Sequence, residues 1–158
     1  MRIPVVLTGL AAMLLSVPAA AQDAPGDEQL VLDTVSGFMT AFDARDAEGM
    51  TTLLAENAML AKIQEREGQD GSGSMLLSWF ASYIAGASFE ATEPLDIRAV
   101  MVEGPVAMVW SDYGFYMDGE LSHCGVNIFT LMRVDDEWKI ASITYSHIEE
   151  PCEDAPRP

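Results

Sequence analysis

The chain is 158 residues long, and 25 acidic side chains against eight basic ones give it a formal charge of −17. So acidic a chain, with its few cations scattered, has no basic stripe for a nucleic-acid backbone and is repelled by anionic membrane surfaces. The excess of acid serves solubility rather than any particular cation.

Residues 1–21 set one Arg ahead of an apolar run that ends in Ala19, Ala20 and Ala21, the pattern of a cleaved secretory signal. A retained membrane anchor is the alternative, but Pro4, Pro18 and the immediate switch to acidic sequence favour cleavage after Ala21. Seven basic and 25 acidic residues then remain in 137, a formal charge of −18. That length builds one domain able to bury about two thirds of its unfolded surface. We expect residues 22–28 to form a loose leader, 29–150 the domain and 151–158 a tail, in a periplasmic or secreted protein.

Val31, Val35, Phe38 and Phe42 recur at helical spacing and define one apolar helix face. The stretch "DARDAEGM" interrupts it, and Asp46 is placed to cap a second short helix running through Ala55. "NAMLAKIQE" follows as a strand. "REGQDGSGS", Arg66 to Ser74, reads as a flexible loop, with Ser72 or Ser74 capping a third helix whose stripe is Leu76, Trp79, Phe80, Tyr83 and Ile84. Gly-rich loops before helices can cradle phosphate, but this one is crowded by acid and followed by no Lys. From Phe89 onward four strand-like segments are separated by Gly104-Pro105, Asp118-Gly119 and Asp135-Asp136, the chemistry of tight hairpins. The order predicts an α+β domain.

This order, together with "FMTAFDARDAEGMTTLLAENAML" and the closing hairpin "GVNIFTLMRVDDEWKIASITYS", resembles the nuclear transport factor 2-like superfamily near its SnoaL-like branch, including exported bacterial members. The resemblance covers most of the mature chain and implies a cone-shaped α+β barrel, three N-terminal helices packed on a curved, mostly antiparallel sheet. It implies no single activity, because this fold serves isomerases, cyclases, dehydratases and epoxide hydrolases as well as ligand-binding and protein-binding domains. No ketosteroid isomerase set of a base with two oxyanion donors aligns here. Asp43 to Asp46 carry the Asp, Arg, Asp letters of the epoxide hydrolases, but at a helix break, where capping is their natural role.

With two-residue turns, Met117 pairs with Glu120 and Val134 with Glu137. Counting back puts Trp110, Asp112, His123 and Asn127 on one sheet face with Trp138, Ile140, Ser142, Thr144 and Ser146. In the resembled fold that face lines the cone, polar near His123 and apolar near Trp138, under a roof of Trp79 and Tyr83. Asp112 and His123 are therefore the candidate acid–base pair, and Trp79, Tyr83, Trp110, Asn127, Thr144 and Ser146 the candidate ligand contacts. A histidine merely satisfied by a carboxylate is the alternative.

Cys124 faces outward on this count, opposite His147, so alternation separates it from His123 and no nucleophilic dyad forms between the neighbours. Outside the cytoplasm Cys124 and Cys152 are expected to pair as a disulfide. A metal site drawing on both cysteines and His147 is the rival, and its spacing matches no standard motif; neither metal nor cofactor is expected. The expected function is export followed by binding of a small, mostly apolar, uncharged or cationic molecule. A SnoaL-like proton-transfer enzyme and a dimerising module without a ligand are the alternatives. An outer strip of Val126, Ile128, Met132, Ala141, Ile143 and Tyr145 is apolar enough to seat a homodimer.

Overall fold

The first helical period is realised as expected. In the computed structural model, which describes residues 26–64, 71–149 and 151–158, helix α1 runs Asp27–Asp43 and buries Val31, Val35, Phe38 and Phe42. The expected signal segment, most of the leader and residues 66–70 of the expected loop lie outside the described residues. Asp46 caps α2 (Ala47–Thr52) by accepting the Gly49 amide at 2.9 Å, and Met50 is the residue this short helix buries. Helix α2 ends before Ala55 because strand β1 (Leu54–Gln64) has already begun. Arg45 of the same break donates to the Ala87 and Phe89 carbonyls, tying the end of α1 to a segment more than forty residues later.

The Gly/Ser segment is the first departure. Gly71–Leu76 is strand β2, paired antiparallel with β1, so neither Ser72 nor Ser74 caps the following helix. Helix α3 (Leu77–Ala85) starts after Leu76 with no side-chain cap and buries Leu77, Ala81 and Ile84. Its buried stripe is therefore rotated from the expected one, and Trp79 is 70% exposed.

Strands β3 (Ala91–Thr92), β4 (Leu95–Glu103), β5 (Val106–Met117), β6 (Glu120–Val134) and β7 (Glu137–His147) complete a seven-stranded sheet in the order β2-β1-β7-β6-β5-β3, with β4 also on β5. Only the β1–β7 pairing is parallel. The two hairpins turn as read: Asp118-Gly119 and Asp135-Asp136 all have positive φ, as two-residue turns of this hand require, and Met117 pairs with Glu120 and Val134 with Glu137. The helices lie over the inner face of this curved, unclosed sheet. Phe42 ties the layers, its ring centroid 6.1 Å from that of Phe80 on α3 and 6.1 Å from that of Phe115 on β5. No helix among the described residues is long and apolar enough to cross a membrane.

Two one-residue bulges reset which side chains face the helices. Tyr116 pairs with Leu121 but Phe115 with His123, so Ser122 is the extra residue on β6. Leu131 pairs with Ile140 but Thr130 with Ser142, so Ala141 is the extra residue on β7. Beyond each bulge the parity of the sheet inverts relative to an uninterrupted ladder. On β5 the inner face is Ala107, Val109, Ser111, Tyr113 and Phe115, all buried. On β7 it is Trp138 and Ile140, then Ile143, Tyr145 and His147.

Candidate functional site

Where the bulges leave the two wide strands, a cavity of about 260 Å³ opens between α1, α3 and the inner face of the sheet. Phe38, Phe42, Phe80, Phe89, Phe115 and Phe129 make its walls predominantly aromatic. Its polar groups stand at two ends. Asn127, itself 3% exposed, donates Nδ2–H to Glu93 Oε1 at 2.7 Å. His123 and His147 line the other end, and Lys62 lines the wall in the same row of the sheet as Asn127, two strands from it.

Glu93 sits in the short link between β3 and β4, beneath α1. As a residue it is half-buried and shares a shallow surface cleft with Asp43 and Pro94, while its carboxyl is enclosed by protein. Burial pushes that carboxyl up to about 7; the Asn127 hydrogen bond opposes the rise and the Asp43 carboxylate adds to it. Asp43 in turn is raised by its own burial and held back by the Glu93 backbone N–H. Tyr113 and Tyr145 are likewise raised, first by burial and then by the nearby Glu93 charge. Tyr113 pairs with Gly125, and its hydroxyl donates to the Ser146 carbonyl oxygen at 2.8 Å, two strands away. A Cβ on Gly125 would lie 2.1 Å from that same oxygen, so glycine is required there.

At the other end the rings of His123 and His147 stack with centroids 3.9 Å apart, and His123 also stacks on Phe115 at 4.7 Å. Burial holds the His123 imidazole down to about 4, helped by His147 and Lys62 and opposed by Glu149. It is therefore a neutral ring at physiological pH. Lys62 Nζ donates to Gln64 Oε1 at 3.3 Å.

Set against the expected site, His123, Asn127 and Tyr83 do line the cavity, although Tyr83 is 62% exposed and stands at its rim. Asp112 and Trp110 do not line it. The Ser122 bulge turns both to the outer face, where Asp112 Oδ2 accepts from Arg98 Nε at 2.8 Å and Trp110 is exposed. The expected Asp112–His123 pair is thus on opposite sides of the sheet. Thr144 and Ser146 are turned outward by the Ala141 bulge, and Ser146 Oγ accepts the Val126 amide at 3.0 Å. Trp79 is exposed on α3 rather than part of a roof. Ile143 and Tyr145, expected outside, are inside, and His147, expected beside Cys124, stacks on His123.

Sequence reading missed Glu93, Lys62, Tyr145 and His147. The signal was available for β7: the apolar period-two run Trp138, Ile140 resumes at Ile143, Tyr145, a gap of three that only a bulge produces. On β5 the alternation Ala107, Val109, Tyr113, Phe115 likewise outweighed the polar series containing Asp112.

The neighbouring cysteine behaves as parity requires. Cys124 points away from His123 and forms a disulfide with Cys152, Cα atoms 5.9 Å apart, just beyond a bridge between Cys124 and Ile148. Among the described residues no cluster of metal-ligating side chains forms. The bridge lays the tail across the outer face, where Tyr116 Oη donates to the Pro156 carbonyl at 3.1 Å and Gly114 leaves room for that same carbonyl.

Comparison with solved structures finds this fold repeatedly. An NTF2-like protein of unknown function from Shewanella baltica matches with a TM-score of 0.58 at 16% identity, over 78% of this chain and 93% of that one. A protein from Streptomyces avermitilis described as "a putative dehydratase from the NTF2-like family" matches at 0.60 and 20% identity, over 77% and 96%. One from Novosphingobium aromaticivorans described as "a putative aromatic ring hydroxylase" matches at 0.60 and 15%, over 82% and 94%. At these identities the likeness is one of fold. No curated protein matches the chain. The nuclear transport factor 2-like fold is thus the fold of this chain; the family model described as "Putative lumazine-binding" matches residues 26–146, all three helices and all but the last residue of the sheet, and the chain belongs to that family.

Proposed function

We propose that this is an exported small-molecule-binding protein whose ligand occupies the cone. The observation that carries the reading is the cavity itself: an aromatic-walled space closed at one end by a buried carboxyl–amide pair, which a merely structural core would fill with side chains. The family description, lumazine-binding, supports a flat heteroaromatic occupant. The disulfide supports an oxidising compartment. Lys62 in the lining brings a positive charge to an interior expected to take an uncharged or cationic molecule.

Ligand-observed NMR with a set of flat aromatic fragments tests the reading. Binders should be retained by the unaltered protein and lost in Ile143→Trp, which fills the cavity from its floor. If no fragment binds, or Ile143→Trp binds them equally, the cone is not the site.

A second reading, proton-transfer catalysis of the SnoaL-like kind, is favoured by one observation, the carboxyl of Glu93 poised near 7 inside an apolar space. In that reading Glu93 takes the place assigned to Asp112 as base, and the neutral His123 faces the substrate from the far end. Exchange of an activated C–H proton into deuterated water, catalysed by the protein and abolished in Glu93→Gln, is the expected result; exchange unaffected by that substitution would exclude it.

The homodimer is retained as part of the proposal, with its surface revised. Ile143 and Tyr145 leave the outer strip, and Trp110 and Met101 join Ile128 and Met132 there.

A further inference from the structure

We propose that the Cys124–Cys152 disulfide is a positioning device for the cavity: it fastens the seam between β6 and β7 at the rung that lies between His123 and His147, and when it is opened the two rings part. The inference goes beyond the ligand-binding reading, because it ties one end of the cavity to a covalent bond on the outer face of the sheet.

The β6–β7 ladder runs, past the Ala141 bulge, as far as the Asn127–Tyr145 pair and there loses its regular rungs. The Val126 amide donates to Ser146 Oγ at 3.0 Å, a side chain in place of a backbone carbonyl. Pairing resumes only at an isolated bridge, where the Cys124 N–H donates to the Ile148 carbonyl and the Ile148 N–H to the Cys124 carbonyl, each at 2.9 Å. On their other sides both strands stay paired to this depth, His123 with Phe115 of β5 and His147 with Gln64 of β1. Two well-held halves of the sheet thus meet along a seam that is closed at this end by one rung, and a lone rung at a strand end is where a ladder opens first.

Alternation turns Cys124 and Ile148 to the outer face and the residues before them inward. Because the strands are antiparallel, His123 and His147 stand diagonally on either side of the rung, and their rings stack with centroids 3.9 Å apart. The rung sets that separation, so whatever secures the rung secures the stack. Cys152 does so from the tail: it is bonded to Cys124 on one strand, and its Sγ lies 3.5 Å from the Ile148 carbonyl oxygen at the end of the other.

The stack also governs what surrounds His123. Closed, the ring packs against Phe115 and Tyr113 of β5 and against His147, with His147 and Lys62 of β1 disfavouring its charge and Glu149 opposing them. Opened, it exchanges the face of His147 for water, and its protonated form gains solvation. A bridge that only stabilised the fold would change none of this while the chain stayed folded.

Ring-proton NMR of the histidines from about pH 3 to 8, with His123 assigned by its loss in His123→Phe, reads the stack directly. In the bridged chain His123 is expected to titrate at about 4. Dithiothreitol, itself oxidised to its cyclic disulfide, returns both sulfurs to thiols; after this reduction, and in Cys152→Ser, the midpoint is expected to rise by about one pH unit or more. Affinity for 2-methoxynaphthalene, a flat aromatic probe, is expected to fall about fivefold with it, as a preformed wall is lost. Easier denaturation with an unmoved His123 midpoint would mean a bridge serving stability alone and would overturn the inference. So would a chain ended after Cys152, bridge intact, that shifts His123 as far as reduction does, since the tail would then be the positioning part. Should the unbridged chain not fold, Ile148→Pro decides: it keeps the disulfide and withdraws one of the two hydrogen bonds of the rung. It is expected to raise the midpoint by about half a unit, and an unmoved midpoint overturns the inference. If the probe fails to bind even the bridged chain, the cavity reading is what fails, and the histidine titration still decides this one.

Discussion

Glu93 and His123 sit at opposite ends of one cavity, and burial moves their pKa values in opposite directions. The consequence is a pair of opposed pH dependences that hide each other in the unaltered protein. Glu93 is raised from the usual 4.5 to about 7, so the native state binds its proton more tightly than the unfolded chain does. At about 1.4 kcal/mol per pH unit, it contributes about 3 kcal/mol below pH 4.5 that is lost as the pH rises through 7. His123 is lowered from 6.5 to about 4, so the native state binds its proton less tightly. Its contribution, smaller than that of Glu93 because the ring is only partly buried and solvent screens it, is present above 6.5 and lost as the pH falls through 4. Between about 4.5 and 6.5 the slopes oppose each other. Urea denaturation of the unaltered chain, Glu93→Gln and His123→Phe at half-unit steps from pH 4 to 8 separates them. The stability difference between unaltered protein and Glu93→Gln should fall by about 3 kcal/mol from pH 4.5 to 7.5. The difference for His123→Phe should rise, by a smaller amount, from pH 4 to 6.5. Repulsion among the many surface carboxylates is common to all three and cancels in the differences. Two flat difference curves, or two of the same sign, would refute the assignment of these groups to a desolvated cavity.

Reducing the Cys124–Cys152 bridge, which closes a loop of 28 residues, should lower unfolding stability by about 3 to 4 kcal/mol; mass spectrometry of the non-reduced protein should find no free thiol. Gly125→Ala places a methyl on the Ser146 carbonyl that Tyr113 bonds, and should destabilise by about 2 kcal/mol or more in the same assay. Asp112→Asn should leave affinity for cavity ligands within twofold, because its partner is Arg98 on the outer face; a loss beyond tenfold would return Asp112 to the site. Light scattering should find a dimer that Trp110→Glu dissociates, and a monomeric unaltered protein would remove the outer face from the proposal.

Fold was legible where local chemistry is strong. The spacing of Val31, Val35, Phe38 and Phe42, the Asp46 cap and the two Asp-containing turns each fix structure within a few residues, and each is found as read. Helix α3 was harder: Trp79 and Tyr83 look like core by hydropathy, and only tertiary packing shows that Leu77, Ala81 and Ile84 form the buried face. The Gly71–Ser74 segment has weak strand propensity and pairs because β1 offers it an edge, a non-local fact.

The site was less legible than the fold because sheet parity accumulates error. Each turn was placed correctly, yet one unpaired residue at Ser122 and one at Ala141 suffice to exchange the faces of two strands. The exchange is favourable by burial. An uninterrupted β5 ladder would present Asp112, Gly114 and Trp110 to the helices and leave Val109, Tyr113 and Phe115 outside. The bulge buries those three hydrophobic side chains and lets Asp112 meet Arg98 instead. On β7 the same economy of apolar surface brings in Ile143 and Tyr145, and His147 follows them because it shares their period. The paired imidazoles are therefore a consequence of packing the strand's apolar residues. The cavity's imidazoles and its carboxyl thus have different origins: the first come from strand parity, and the second is Glu93, which no periodic pattern marks because it stands in a two-residue link between strands. Sequence periodicity can find groups of the first kind once bulges are allowed for, whereas a group like Glu93 becomes visible only through the buried side chain it meets, Asn127.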